Sequence, residues 1–172
     1  LTDTLSMWRY SYDSLGRLSS RGVPGSEREF YTYDDEDRIV RSQRGGTSFM
    51  YTYDGVGRLT ARSITLGSGM SPVPVEEHAY DSYSAEAQSL LGGSAYTGGP
   101  SKGRETYARL VCTDPQSYIG GYAVTAWAYD SLGRVSRSVT QYPDGHVNTT
   151  DCCYDFSGSP VLTTTVGLRS TA

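Results

Sequence analysis

WRYSYDSLGRLSSRG, residues 8–22, returns in altered form as YTYDDEDRIVRSQRGG (31–46), FMYTYDGVGRLTARS (49–63) and WAYDSLGRVSRSVT (127–140). Aligned on Tyr-Asp, the copies fall at Tyr12-Asp13, Tyr33-Asp34, Tyr53-Asp54, Tyr129-Asp130 and Tyr154-Asp155, with a stripped copy at Tyr80-Asp81. The first three stand about 20 residues apart, a spacing that marks a repeat architecture. Each copy opens with period-two alternation. Trp8, Tyr10 and Tyr12 share one face of an extended segment, as do Phe49, Tyr51 and Tyr53, or Thr125, Trp127 and Tyr129. A turn phrase follows, with Asp13, Asp34, Asp54, Asp130 or Asp155 first and Gly16, Gly57, Gly133 or Gly158 three residues later. There the aspartate accepts backbone N–H groups and glycine takes a left-handed conformation. In the second copy Asp37 holds the glycine place, and aspartate is one of the few other residues that visits that region readily. Arg17, Arg38, Arg58 and Arg134 then lead into a second strand. The phrase is a β-hairpin closed by a type I turn and a left-handed residue.

An isolated hairpin is marginal in water, so each unit needs its neighbours. The expected fold is mainly β: tandem antiparallel hairpins in a curved or spiralling open sheet. Residues 1–66 carry three repeats, 67–121 a degenerate repeat with a loop-rich insertion, and 122–172 continue the same sheet within one structural domain. The insertion begins at Tyr80-Asp81-Ser82-Tyr83-Ser84, where no glycine closes the turn. Within it AEAQSLL reads as a helical turn or two, and GRETYARLVC and AVTAWAYD read as strands. A long loop on a rigid scaffold is where recognition tends to settle.

Composition agrees with a globular β chain. Of 172 residues, 37% are hydrophobic and 20% charged, which separates the chain from disordered sequences, and 15 Tyr against 3 Phe and 2 Trp make its apolar content amphipathic. The net charge of −4 is scattered, with no Lys/Arg cluster to follow a phosphate backbone, so nucleic acid is not an expected partner. No apolar run reaches the length of a membrane span. The opening LTDTLSMWRY has neither an initiator Met nor a signal-peptide pattern, and the chain reads as a piece of a longer protein.

The phrase Tyr-Asp-x-x-Gly-Arg-Leu/Val resembles the YD repeat of RHS-repeat proteins, which include bacterial polymorphic toxins, the C components of Tc toxin complexes and animal teneurins. Tyr12 to Leu18, Tyr53 to Leu59 and Tyr129 to Val135 match in full. Tyr33 to Ile39 matches with Asp37 for glycine, and Tyr154 to Gly158 matches until Ser159 stands in the arginine place. The resemblance implies a sheet spiral that, in long arrays, closes into a shell around a C-terminal toxic region. It implies a non-enzymatic strip of wall, the rest of the parent chain and a toxin cargo as partners, and a secreted or cell-surface setting, bacterial in origin. In the family the shell ends near an autoproteolytic Asp-Pro. Asp114-Pro115 has the dipeptide without the glycine-rich context, and further repeats follow it.

Other candidates are weak. His78 and His146 read as surface or turn residues, since no nucleophile phrase accompanies them. GGPSKG, residues 98–103, lacks the ending of a phosphate loop. Asp34 to Asp37 crowd carboxylates without the spacing of a calcium loop. Asn148-Thr149-Thr150 is a glycosylation sequon that matters only in a eukaryotic secretory pathway. Cys112, Cys152 and Cys153 have no zinc spacing; a Cys112 bridge to one of the pair stays open, and the adjacent pair reads as separately packed thiols. No catalytic residue, cofactor or metal is expected. The tyrosine rows admit two readings, sheet packing or stacking on sugars in a carbohydrate- or cell-surface-binding module. The repeated arginine pairs with neighbouring aspartate or binds anions. Open sheet edges invite edge-to-edge self-association.

Overall fold

The structure, a computed structural model, describes residues 7–67, 69–93, 100–112 and 121–169, excepting the side chains of 112, 168 and 169. The described chain is mainly β: twelve strands, ordered β1 to β12 as in the sequence in an open sheet, and one short helix. It divides into two compact units, Leu1–Val75 and Glu76–Ala172.

The first unit holds β1 (Arg9–Tyr12), β2 (Leu18–Gly22), β3 (Glu29–Tyr33), β4 (Ile39–Arg44), β5 (Thr47–Tyr53) and β6 (Leu59–Leu66). Successive strands pair antiparallel. Alternation sets the faces, because Tyr31, Ser42, Phe49 and Ile64 are cross-strand partners on one side and Phe30, Gln43, Ser48 and Thr65 on the other. Among its described residues Ser20, Ser42 and Ser48 are the buried side chains, and the small Ser42 between Tyr31 and Phe49 lets neighbouring strands carry two rings on one face. This unit therefore draws its cohesion from the strand ladder and the turns more than from a buried apolar core.

The second unit holds most of β7 (Val73–Tyr80), α1 (Ala85–Leu91), β8 (Glu105–Cys112), β9 (Gly121–Tyr129), β10 (Val135–Gln141), β11 (His146–Tyr154) and β12 (Pro160–Arg169). The expected strands at 103–112 and 123–130 are the hairpin β8–β9, and AEAQSLL is α1. Ser84 caps the helix by accepting the Ala87 N–H at 3.1 Å, and Gly92 ends it at φ 125°. Its Ala87 and Leu91 pack on Tyr107, Ala126, Ala128 and Val139. Tyr107, Ala126 and Val139 are successive cross-strand partners, so they share one face, and the two alanines leave the depth that a helix needs. One polar link fastens the end of α1: Arg137, held by Asp151 at 2.6 and 3.1 Å, donates to the Leu91 carbonyl. Burial and the adjacent Glu86 charge push the Tyr107 phenol up to about 12.

Candidate functional site: an arginine clamp from turn to turn

Every Tyr-Asp turn repeats one set of bonds. The Asp N–H donates to the carbonyl four residues on, Asp13 to Arg17, Asp34 to Arg38, Asp54 to Arg58, Asp130 to Arg134 and Asp155 to Ser159, at 2.8–3.0 Å. The third residue after the aspartate donates back to its carbonyl, and it is left-handed: Gly16, Gly57, Gly133 and Gly158 lie at φ 79–87° and Asp37 at 61°. The aspartate carboxylate does the remaining work. Asp54 Oδ1 accepts the N–H groups of Val56 and Arg58 at 3.0 and 2.9 Å, and Oδ2 accepts Arg58 Nε at 2.7 Å. Asp13, Asp34 and Asp130 make the same three bonds. These bonds favour the ionised acid and hold it below the usual range. The largest cause is the Arg17 guanidinium for Asp13, the Arg58 and Arg134 N–H groups for Asp54 and Asp130, and the Ser157 hydroxyl for Asp155.

Just past each turn the register slips by one residue. Ser11 faces Ser20 but Tyr12 faces Leu18, and the same slip recurs at Thr32/Tyr33, Thr52/Tyr53, Ala79/Tyr80, Ala128/Tyr129 and Cys153/Tyr154. A bulge of this kind bends the strand and re-aims the side chains beside it. The repeat tyrosine thereby meets the preceding unit: Tyr33, Tyr53 and Tyr154 each donate to the carbonyl of Leu18, Ile39 or Val135 at 2.8 Å, and Tyr129 donates to Glu105.

The arginine of that preceding unit covers the same ring. Arg17 lies over Tyr33 at 4.7 Å, Arg38 over Tyr53 at 4.9 Å, Arg104 over Tyr129 at 5.6 Å and Arg134 over Tyr154 at 4.3 Å. Its guanidinium reaches the next turn as well, Arg17 to the Asp34 carbonyl and the Asp37 carboxylate, Arg104 to the Gly133 carbonyl at 2.9 Å. Arg17, Arg38 and Arg134 thus answer their own aspartates and, like Arg104, cover the tyrosine of the following turn. Tyr12, with no such cover among the described residues, is 64% exposed.

Arg104 escaped the sequence reading. The Asp81 N–H donates to the Arg104 carbonyl at 3.0 Å, the same closure that Asp13 makes with Arg17, so residues 82–103 stand where three residues stand elsewhere. The bulged Thr106, fully buried, pins the start of the insertion by donating to the carbonyls of Ala79 and Ser82. The one visible signal is Gly103-Arg104 followed by a strand, a turn ending detached from its beginning.

The remaining candidates fall as follows. Glu36 pairs with Arg38 and Asp37 with Arg17, so the acidic turn faces guanidinium groups. Among the described residues no group of three or more His, Cys, Asp or Glu has an arrangement that holds a metal. Asn148 lies within β11, its Oδ1 2.7 Å from His146 Nε2. Cys152 and Cys153 are free thiols. Asp114-Pro115 and residues 98–99 lie outside the described residues. His78 is neither a surface nor a turn residue: it sits half-buried within β7, where flanking carboxylates replace water around the ring. No described helix is long and apolar enough to cross a membrane.

Tyr53→Phe is expected to cost about 1 kcal/mol in urea unfolding by leaving the Ile39 carbonyl without its donor. Tyr12→Phe, at an exposed ring, should stay within about 0.5 kcal/mol of wild type. Equal losses at both positions would contradict the clamp.

Hairpins closed by Tyr-Asp turns follow one another along the chain and define a β-hairpin repeat array. No family model and no curated protein matches the sequence. Among solved structures, the chain is similar to the TcdB2-TccC3 crystal structure at 13% identity and TM-score 0.46, over 99% of this chain and 10% of that one. It is also similar to a mutant Tc holotoxin pore of Photorhabdus luminescens at 12% identity and TM-score 0.45, over 96% of this chain and 9% of that one. The chain spans about a tenth of the length of these chains.

Proposed function

We propose that this chain is a non-catalytic structural module, a strip of β-sheet wall in a larger RHS-type protein of a secreted or cell-surface toxin system, where it encloses or displays a C-terminal region. Residues 1–66, 67–121 and 122–172 are then three complete repeats, one repeat opened by an insertion, and the continuing repeats of one sheet. The turn residues from Tyr12 to Gly158 serve as its joints. The observation that carries this reading is the clamp. The Asp, Arg, Gly and Tyr of these turns are spent on one another, as joints between successive units require.

A wall of interlocking units tolerates the loss of a whole unit but not of part of one, because each repeat answers only to its neighbours. Deleting residues 34–53, one full period, joins Tyr33 to Asp54 and preserves the Arg17–Tyr33 grip. The shortened chain is expected to retain β-type circular dichroism and a single cooperative urea transition. Deleting residues 34–43, which breaks the register, should abolish both. If the whole-period deletion unfolds the protein as thoroughly, the modular wall is wrong.

The second reading, a carbohydrate- or cell-surface-binding module, is favoured by Trp8 and Tyr10. Their rings lie 6.4 Å apart at 11°, and they are 56% and 53% exposed, which suits stacking on a sugar face. Tyr53 is unsuited to that role because Arg38 covers its ring. A glycan array with wild type and Trp8→Ala decides: binding lost in the variant supports this reading, and silence across the array removes it.

A further inference from the structure

The split repeat differs chemically from the four compact repeats that end in arginine. Two residues before the turn tyrosine stand Tyr10, Tyr31, Tyr51 and Trp127 in four units, and His78 in the split one. One residue after the arginine stand Leu18, Ile39, Leu59 and Val135, and Glu105 in the split one. The fold brings the two exchanges together. His78 Nδ1 bonds to Glu105 Oε1, and His78 Nε2 lies 2.9 Å from Glu76 Oε1.

The imidazole, 15% exposed at its side chain, therefore has an acceptor at each nitrogen. An ionised carboxylate only accepts, whereas neutral imidazole donates from one nitrogen alone. Deprotonation would set a ring lone pair against a carboxylate in a half-buried site. Among the described residues of the same unit, Tyr80 stacks on the ring at 6.4 Å and β8 sets uncharged Ala108 opposite it.

The geometry points to a proton-operated latch: protonated His78 ties Glu76 of β7 to Glu105 of β8 and closes the hairpin whose tight turn has given way to residues 82–103, and loss of the proton loosens that hairpin. The position is one where a latch has an effect. Elsewhere a three-residue turn fixes the hairpin end, while here a long insertion closes the loop and leaves more chain entropy to oppose. Glu105 also accepts the Tyr129 hydroxyl through its carbonyl, so its displacement is felt in the next unit.

Burial disfavours the charged ring, and the hydrogen bonds it donates to the Glu105 and Glu76 carboxylates override that, raising its pKa above the ordinary imidazole value. The sign follows: stability from the latch is complete below that ordinary value of about 6.5 and is lost as pH rises through the raised folded-state value.

The test is a titration of the His78 imidazole carbon–proton resonances in the whole chain between about pH 5 and 9, assigned by their loss in His78→Gln. Amide exchange in β7 and β8, corrected for the intrinsic pH dependence of exchange, is followed alongside. A His78 midpoint above 6.5 is expected, with protection falling up to about tenfold per pH unit between about 6.5 and that midpoint and levelling off above it. His78→Gln and Glu105→Gln should remove the pH dependence. A midpoint at or below the ordinary value, or protection indifferent to pH, overturns the latch. Where the variants fail to fold, the wild-type titration still decides.

Discussion

Leu91→Ala is expected to lower the unfolding free energy of the Glu76–Ala172 unit by about 2–5 kcal/mol, the range for deleting a buried leucine side chain. Leu91 is 1% exposed and sits with Ala87 against Tyr107, Ala126, Ala128 and Val139, the one cluster of buried apolar side chains among the described residues. The cavity has little means of collapsing. Two of its lining residues are alanines on paired strands, and α1 is held at its C-terminal end by Arg137. Urea unfolding measures the loss, and amide exchange locates it: protection should fall in β8, β9 and β10 while β1 to β5 keep theirs. Leu15→Ala, in an exposed turn, serves as the control and should change stability by less than about 0.5 kcal/mol. Equal sensitivity at the two leucines would mean that α1 contributes nothing to the core.

The second large effect separates two roles of one glycine. Gly16 and Gly133 hold the same place in their turns, at φ 81° and 79°, so alanine meets the same backbone penalty of about 1–2 kcal/mol at either. Their surroundings differ. A Cβ at Gly16 meets nothing within 4 Å, whereas one at Gly133 falls 1.9 Å from Arg104 Nη2. Gly133→Ala therefore expels the guanidinium from the Gly133 carbonyl and from above Tyr129. Losing a charged hydrogen bond and a cation–ring contact adds about 2 kcal/mol. Gly16→Ala should cost about 1 kcal/mol and Gly133→Ala about 3. In an Arg104→Ala background the excess should vanish, and its persistence would count against the clamp.

Much of this was legible in the chain itself. The aromatic alternation, the Asp three residues before Gly or Asp37, and the following arginine specified hairpins, because strand periodicity and turn conformation are local properties. Even the exception was readable, since aspartate at the left-handed position obeys the same backbone rule as glycine. The inter-unit joint was not. That Arg17 serves Tyr33 rather than Tyr12, and that Gly133 leaves room for Arg104, depends on a one-residue register slip and on the approach of turns that lie about 20 residues or more apart.

The insertion marks the boundary most clearly. Local signals identified α1 and β8, yet nothing local joined Arg104 to a turn, because its aspartate partner position lies 23 residues upstream. Only hydrogen bonding across that gap, from the Asp81 N–H to the Arg104 carbonyl, restores the turn. His78 is the same case: a lone histidine in sequence, it gains its environment when strand pairing sets Glu105 beside it. The sequence by itself determined the repeating hairpin, whose forces act within a few residues. Tertiary structure decided which unit each arginine grips, what α1 covers and where a proton is held, since those depend on distances that exist only after the strands have paired.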